Sequence, residues 1–520
     1  MNKTRGAAAG LAAAAASLAS AELLAGLLPG APSLVTTVGT LVIDLQPPGG
    51  KELAVALFGE GDKLALIIGV AIVALVSGAA LGVVATRNQT LAYLGYLAFG
   101  ALALFAALQD PQSTAMLSLL SAALAVAVAV FVLRWLLSRP SHRGVPTEDG
   151  YRPAWDPIGT GSTATDPQRR TFLLRAGATM ALAAVGAVLG RYLIGLRDIP
   201  VSAAVPIPAP SQTLAPPPAT AMLEVPGITP LIVPNEEFYR IDVNLVVPTI
   251  SADTWSVRVH GMVDQEIELT YAQLLAMPLV DRYVTIACVS NEVGGDLVGN
   301  ARWTGVPLRD VLDMAGVQTG ATQIVGRAFD GWTAGFPTEI ALGDGRDALI
   351  AVQMNGEPLP RAHGFPARLI VPGLFGYVSA TKWLAEIELT TLEAFDAYWV
   401  PLGWSKLGPI LTQSRIDVPR RGATVPAGLV TIAGVAWAPT RGVEMVEVRV
   451  GDGAWQACEL SQPLSDDTWV QWRREWQATP GRHVIQVRAT DGTGDVQTAD
   501  RTRPDPDGAR GHHTIDVQVG

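Results

Sequence analysis

The chain has 520 residues, 49% of them hydrophobic and 16% charged, with a mean hydropathy of +0.30. A chain of this length holds more than one domain. A formal net charge of −10, with no basic stripe carrying interleaved aromatics, excludes a generic nucleic-acid binder, and two distant cysteines, Cys288 and Cys458, exclude a disulfide framework.

Residues 1–197 read as a helical membrane domain of about five spans. Apolar runs at roughly 6–28, 64–85, 91–108, 113–137 and 172–196 approach the ~20 residues that cross a bilayer core. Glu22 is the one acid deep in a run. It reads either as a functional intramembrane acid or as a residue near a helix end that faces a neighbouring helix. Lys3 and Arg5, then Arg87, then Arg134, Arg139, Arg143, Arg169, Arg170 and Arg175 place three segments inside the cell. The expectation is a multi-pass protein of the cell membrane, with its C-terminal half on the extracytoplasmic side. Residues 29–62 then form an outside loop with some re-entrant character. The segment 168–175, QRRTFLLR, has two readings: flanking charge before a span, or a twin-arginine export motif. None of the six histidines precedes His142, so ligand count excludes bis-histidine haem between the spans. The membrane part reads as an anchor or docking platform. Residues 198–233, rich in Pro, Ala and Ser, read as an extended linker.

Residues 234–408 read as an α+β domain. Phe238, Tyr239 and Arg240 stand near its start, and a guanidinium fork there matches a phosphate. A strand at 255–262 and a Thr-capped helix at 270–278 follow. The remainder is organised around 284–317. That stretch begins as a strand, reaches Cys288, and opens into the loop SNEVGGDLVGN, whose glycines let backbone approach a bound group. An amphipathic helix follows, with Leu308, Val311, Leu312 and Ala315 on one face. Cys288 reads either as a buried structural thiol or as a thiolate for a soft metal. No CxxC or neighbouring His supplies a zinc or iron–sulfur set, so a metal on Cys288 needs a cofactor to complete its coordination. Strands at 323–329 and 349–353 flank a turn at 330–333. His363 falls in a loop, where a lone histidine is more often structural than a ligand.

Residues 409–520 change to short alternating strands between Gly and Asp turns, which predicts an immunoglobulin-like β-sandwich. Trp437, Trp455, Trp469, Trp472 and Trp476 read as core or interface packing. Cys458 reads as a small buried core residue.

From residue 234 onward the chain resembles the sulfite oxidase family of molybdopterin-dependent oxidoreductases. The resemblance rests on the Cys288 loop and on later motifs in the same order. These are Asn355-Gly356-Glu357-Pro358-Leu359-Pro360, His363-Gly364-Phe365-Pro366, Arg368, Val371-Pro372-Gly373 and Lys382-Trp383-Leu384. It implies molybdenum held by a pterin dithiolene and by the Cys288 thiolate. It implies a cofactor site of Phe238, Tyr239, Arg240, Cys288, Asn291, Asp330, His363, Arg368, Ser379 and Lys382. In the catalytic pocket it implies Cys288, Glu292 and an aromatic residue at Trp404 or Tyr398. The chain also departs from the family. Ile241-Asp242 stand in place of an Asn-His pair. Glu292 stands where sulfite oxidases have an arginine, and an acid there repels an anionic substrate. Trp404 falls where their active-site tyrosine is expected, with Tyr398 close by. These departures argue against sulfite as substrate and leave the cofactor expectation intact.

The expected partners are a small-molecule substrate, a separate cytochrome or quinone-linked electron partner, the membrane, and a second copy joined through the C-terminal domain. No haem, iron–sulfur cluster or nucleic acid is expected. Two functions compete. One is an extracytoplasmic molybdenum oxidoreductase that moves an oxygen atom to or from a small, sulfur-containing substrate. The other is a cofactor-free, surface-displayed binding module on the same fold. A transporter is a weak third reading, because the runs carry few polar groups and no evident repeat.

Overall fold

The computed structural model describes residues 2–47, 61–138, 167–196, 206–343 and 346–520, with scattered helical positions between 50 and 58. The chain forms two compact units, Met1–Ile199 and Pro200–Gly520.

The first unit contains α1 (Lys3–Leu27), α2 (Leu34–Asp44), α3 (Asp62–Ala85), α4 (Gln89–Leu108), α5 (Ala115–Leu137) and α6 (Pro167–Leu196). Among the described residues five helices, all of these but the 11-residue α2, are long and apolar enough to cross a membrane. Side chains of Asn2, Ser33, Asn88 and Thr114 cap the starts of α1, α2, α4 and α5, accepting backbone N–H groups that lack a partner in the first turn. The Ala- and Gly-rich α1 lets neighbours approach closely. Gly6 and Gly10 face Gly78 and Gly82 of α3, and a Cβ on Gly82 would lie 2.7 Å from the Gly10 Cα. Without water to drive apolar burial, such small-residue contacts supply helix–helix packing.

Glu22 faces a neighbouring helix. It is 3% exposed and pairs with Arg191 of α6 at 2.9 Å, while Ser33 Oγ donates to its other oxygen at 2.6 Å. At another point of the bundle, the Arg5 guanidinium lies over the Phe172 ring at 4.7 Å, Arg175 lies over Trp135 at 5.2 Å, and Gly6 adjoins Thr86. The basic starts of α1 and α6, the end of α5 and the turn bearing Arg87 therefore gather together. Arg169 and Arg170 are exposed on α6. The expected inside loop with Arg139, His142 and Arg143 lies outside the described residues, as do residues 197–205 of the expected linker.

In the second unit, residues 206–233 are seated on the fold rather than extended away from it. Ser211 N–H donates to the Leu279 carbonyl at 2.8 Å, and Ala221, Leu231 and Val233 enter the main core. Apolar side chains at these positions find a place to be buried, which composition alone does not reveal.

One five-stranded sheet has the order β2 (Ile267–Thr270), β1 (Ser256–Gly261), β10 (Leu384–Thr390), β5 (Gln323–Ala328), β6 (Thr333–Pro337). The second runs β3 (Val280–Ala287), β4 (Val298–Pro307), β7 (Leu349–Met354), β8 (Glu357–Pro358), with β9 (Arg368–Ile370) also on β7. A short helix at Tyr271–Leu275 starts with a Thr270–Gln273 capping box. The helix Leu308–Ala315 buries Leu308, Val311, Leu312 and Ala315, the face expected from their spacing. The Cys288 loop is shorter than the sequence suggested. Val298 already pairs with Ala287, so Val298-Gly299-Asn300 begin a strand. That strand is buried on both faces, which removes the alternation that would have revealed it.

Beyond residue 412 two more sheets pack face to face. One contains β11 (Gln413–Val418), β13 (Gly428–Trp437), β17 (Val470–Ala478) and β16 (Glu459–Leu460). The other contains β12 (Thr424–Val425), β19 (His513–Val519), β18 (Gly481–Asp491), β14 (Val443–Val450) and β15 (Gln456–Ala457). Ile416, Ile432 and Trp472 from the first share a core with Val446, Val448, Ile485 and Val487 from the second. Cys458 lies partly buried at the margin of that core rather than inside it. Trp437 and Trp469 join the α+β core instead. Trp469 Nε1–H donates to the Leu231 carbonyl and Thr285 N–H to the Asp467 carbonyl, so the expected boundary at 408/409 is no physical gap.

Candidate molybdopterin site

Cys288 follows directly on β3 and is 8% exposed. Its N–H donates to the Leu297 carbonyl at 2.9 Å, which closes the loop at its base. Asn291 tightens the same loop: its N–H donates to the Cys288 carbonyl at 3.1 Å, and its Oδ1 accepts from Leu297 N–H at 2.9 Å. Ser290 Oγ lies 2.9 Å from Cys288 Sγ. The two-sheet region braces this loop from outside. Buried Arg415 donates through Nη1 to the Gly295 carbonyl at 2.9 Å and pairs through Nε with Asp417 at 2.7 Å. Gly294 has φ +81°, and the His513 ring fills the place where its Cβ would lie, so only glycine fits.

An aromatic cluster forms one wall. Phe238 stacks on Tyr239 at 5.3 Å and meets Trp303 and His363 edge-on at 5.9 and 5.8 Å. A Cβ on Gly376 would lie 3.9 Å from Tyr239 Oη and 3.7 Å from the Ala287 carbonyl, so both groups border Gly376. Burial pushes this phenol far above the ordinary tyrosine range; the nearby Cys288 raises it further and Arg368 opposes.

His363 Nε2–H donates to the Asn235 carbonyl at 3.1 Å. Burial, then Arg368 and Lys382, push its pKa down to about 4, so the ring is neutral at pH 7 and its single proton sits on Nε2. Nδ1 is therefore an acceptor. Toward a bound group, the ring can therefore only accept from an N–H or O–H donor.

Arg368 is 4% exposed. Nη1 donates to the His363 carbonyl at 3.1 Å, and the guanidinium lies 5.1 Å from the Trp303 ring centroid. Its Nε is buried without a hydrogen-bond partner, and among the described residues no carboxylate pairs with it. Burial pulls it down to about 10. Arg240 Nε and Lys382 Nζ share one oxygen of Asp242, at 2.8 and 3.1 Å. Burial brings Lys382 down to about 8, with Asp242 opposing and Arg368 reinforcing. Asp330 accepts from Asn244 Nδ2 at 2.6 Å and from Trp332 N–H at 3.0 Å; burial raises its pKa, and Lys382 lowers it.

The fold thus gathers Phe238, Tyr239, Arg240, Cys288, Asp330, His363, Arg368 and Lys382. Asn291 and Ser379, also expected at the cofactor, each make a local hydrogen bond: Asn291 closes the Cys288 loop, and Ser379 Oγ–H donates to the Phe375 carbonyl at 3.0 Å. The Glu292 side chain is exposed, and its carbonyl accepts from Gly295 N–H. Trp404 packs on Tyr377 and Trp399 at 6.0 and 6.3 Å, with Tyr398 edge-on to Trp399 at 5.1 Å. This aromatic group adjoins the site at Tyr377, next to Gly376. Sequence reasoning missed the roles of Ser290 and Asn244. It registered Asp242 only as a departure, although Asp242 orders two of the three cations.

The model of the oxidoreductase molybdopterin binding domain matches residues 244–399. Mitochondrial sulfite oxidase of Homo sapiens is 30% identical over 303 residues, 49% of this chain and 55% of the human protein. The oxidoreductase YuiH of Bacillus subtilis, itself uncharacterized, is 34% identical over 154 residues, 30% of this chain and 74% of YuiH. The chain belongs to the sulfite oxidase family of molybdopterin oxidoreductases. Inducible nitrate reductase [NADH] 2 of Glycine max is 28% identical over 308 residues, 47% of this chain and 34% of that enzyme. The chain spans about half the length of the human relative.

The residues present fit the cofactor of the sulfite oxidase family. A buried cation without a carboxylate partner is costly and marks a place for an anion. Arg240 and Lys382 add two more cations, and His363 Nδ1 supplies an acceptor for a ring N–H. Cys288 supplies a soft ligand at the end of a strand.

Proposed function

We propose that this chain is a membrane-anchored molybdenum oxidoreductase whose catalytic half works outside the cytoplasm on a small sulfur compound. The observation that carries the reading is the buried, uncompensated Arg368, in one cluster with Cys288, Tyr239, His363 and Lys382. When bound, the molybdenum–pterin group supplies two-electron chemistry in which an oxygen atom passes to or from the substrate. Cys288 is its thiolate ligand. Arg240, Arg368 and Lys382 hold the cofactor phosphate, and Asp242 fixes two of those cations by ion pairs. His363 accepts from a pterin N–H, while Phe238 and Trp303 pack the cluster and keep water out.

The gathered basic helix ends support an N-terminus inside and a C-terminal half outside. On this reading Arg169 and Arg170 belong to an export signal, and the two-sheet C-terminal region is an immunoglobulin-like dimerisation domain. Electrons pass to a separate cytochrome or quinone-linked partner. Metal and pterin analysis of the full chain, produced in a host that makes the cofactor, tests the reading. About one molybdenum per chain is expected, with a visible thiolate absorption lost in Cys288→Ser while pterin remains. Folded protein free of molybdenum and pterin would leave the binding module as the better reading.

A further inference from the structure

The Cys288 sulfur has one hydrogen-bond partner among the described residues, and its own loop supplies it. Residues 288–291 form a turn, closed by Asn291 N–H donating to the Cys288 carbonyl at 3.1 Å. The turn folds residue 290 back toward residue 288. From there Ser290 Oγ reaches to 2.9 Å from Cys288 Sγ. A serine hydroxyl in a turn ordinarily bonds to neighbouring backbone. Among the described residues Ser290 Oγ has the sulfur as its partner instead.

Other donors near the sulfur are spent or distant. The N–H groups of Cys288, Asn291, Gly295 and Leu297 are committed to oxygen acceptors within the loop. Cys288 is buried, so bulk water competes poorly for it. A hydrogen bond in such a place is electrostatically stronger than in water. As a thiol, Cys288 can donate to Ser290 or accept from it. As a thiolate it carries no proton, so Ser290 Oγ–H is then the donor.

We propose that Ser290 is a positioning residue whose O–H donates to the Cys288 thiolate, fixes the direction of that ligand and draws electron density from the sulfur. A thiolate that shares its charge with a donor gives less of it to a metal. That favours the reduced centre and raises its potential. Ser290 acts through Cys288 and has no part in bond making. The proposal rests on the molybdopterin reading of the site. It adds how this chain sets the electron affinity of that site.

The test compares full-length wild type with Ser290→Ala and Ser290→Thr. Residue 290 is not in the left-handed region of φ, so both replacements suit the turn, and threonine keeps a hydroxyl. Molybdenum and pterin per chain are measured first. Each loaded protein is then titrated potentiometrically while its visible thiolate absorption is followed. Full loading is expected in both variants. At a fixed potential, Ser290→Ala moves the ratio of reduced to oxidised centre about fivefold toward oxidised, the effect of one hydrogen bond. For a one-electron step that is a midpoint about 40 mV lower. Its thiolate absorption moves to longer wavelength, because the sulfur holds its electrons less tightly. Ser290→Thr stays near wild type in both readouts. A loaded alanine variant with wild-type potential and absorption overturns the proposal. So does a threonine variant shifted as far as alanine, since the turn rather than the hydroxyl is then the cause. Loss of molybdenum in Ser290→Ala also overturns it, because the hydroxyl is then needed to hold the metal and not to tune it. Wild type free of molybdenum fails the molybdopterin reading, and this proposal with it, before any variant is compared.

Discussion

Replacing Arg368 with methionine separates stability from function. The guanidinium is held down to about 10, some 2.5 decades below a free guanidinium. At about 1.4 kcal/mol per decade, keeping it charged in the fold costs roughly 3 kcal/mol. At pH 7, below both values, the folded and unfolded chains are both protonated there, so the whole cost is present. Methionine removes it and fills similar volume. It also loses the hydrogen bond to the His363 carbonyl and the contact with Trp303, about 1 kcal/mol each. The balance is a cofactor-free protein about 1 kcal/mol more stable than wild type. Urea unfolding followed by tryptophan fluorescence reads this out. Of the 13 tryptophans only Trp135 and Trp155 precede residue 200, so 13 − 2 = 11 report on the second unit. In the same variant, expressed with cofactor supply, molybdenum per chain falls at least tenfold, the loss of about one charged contact to the phosphate. A cofactor-free variant less stable than wild type by 1 kcal/mol or more would show that the guanidinium is satisfied in the fold, and the argument for an anion there would fail.

Three other outcomes follow from the same geometry. Lys382 is charged below about 8 and neutral above, so sulfate, standing in for the cofactor phosphate, binds the cofactor-free protein about tenfold more weakly at pH 9 than at pH 7. Calorimetric titration checks this, and a pH response that persists in Lys382→Arg assigns it to another group. In the membrane unit, Glu22→Gln or Arg191→Gln breaks a pair whose carboxylate is buried and whose guanidinium is partly exposed, at a cost of about 2 kcal/mol. Glu22→Met with Arg191→Met recovers most of that in detergent thermal melts; a double variant no better than the singles rules the pair out as the cause. Arg415→Ala unties the Cys288 loop from the two-sheet region and leaves Asp417 alone. Trypsin cleaves the second unit faster as a result, and an unchanged cleavage pattern would show that the loop holds itself.

Sequence alone determined what depends on local order and covalent spacing. The apolar runs fix five membrane-length helices, because a bilayer-spanning helix must satisfy its backbone within one continuous segment. The amphipathic spacing of Leu308, Val311, Leu312 and Ala315 fixes the helix after the Cys288 loop. The ordered motifs from Cys288 to Lys382 fix the family.

Tertiary structure decided what depends on who faces whom. Glu22 and Arg191 are 169 positions apart, and only packing of α1 on α6 shows that they form a pair. Composition marked 198–233 as a linker, but three apolar side chains of its described part, Ala221, Leu231 and Val233, are buried in the main core. The proton position on His363 follows from a carbonyl 128 residues away. Asp242 was visible as a misfit, but its role in holding Arg240 and Lys382 needed the fold to bring residues 140 positions apart to 3.1 Å. A motif places a residue type at a position; burial and the long-range partner then set its charge, its free atoms and what it can bind.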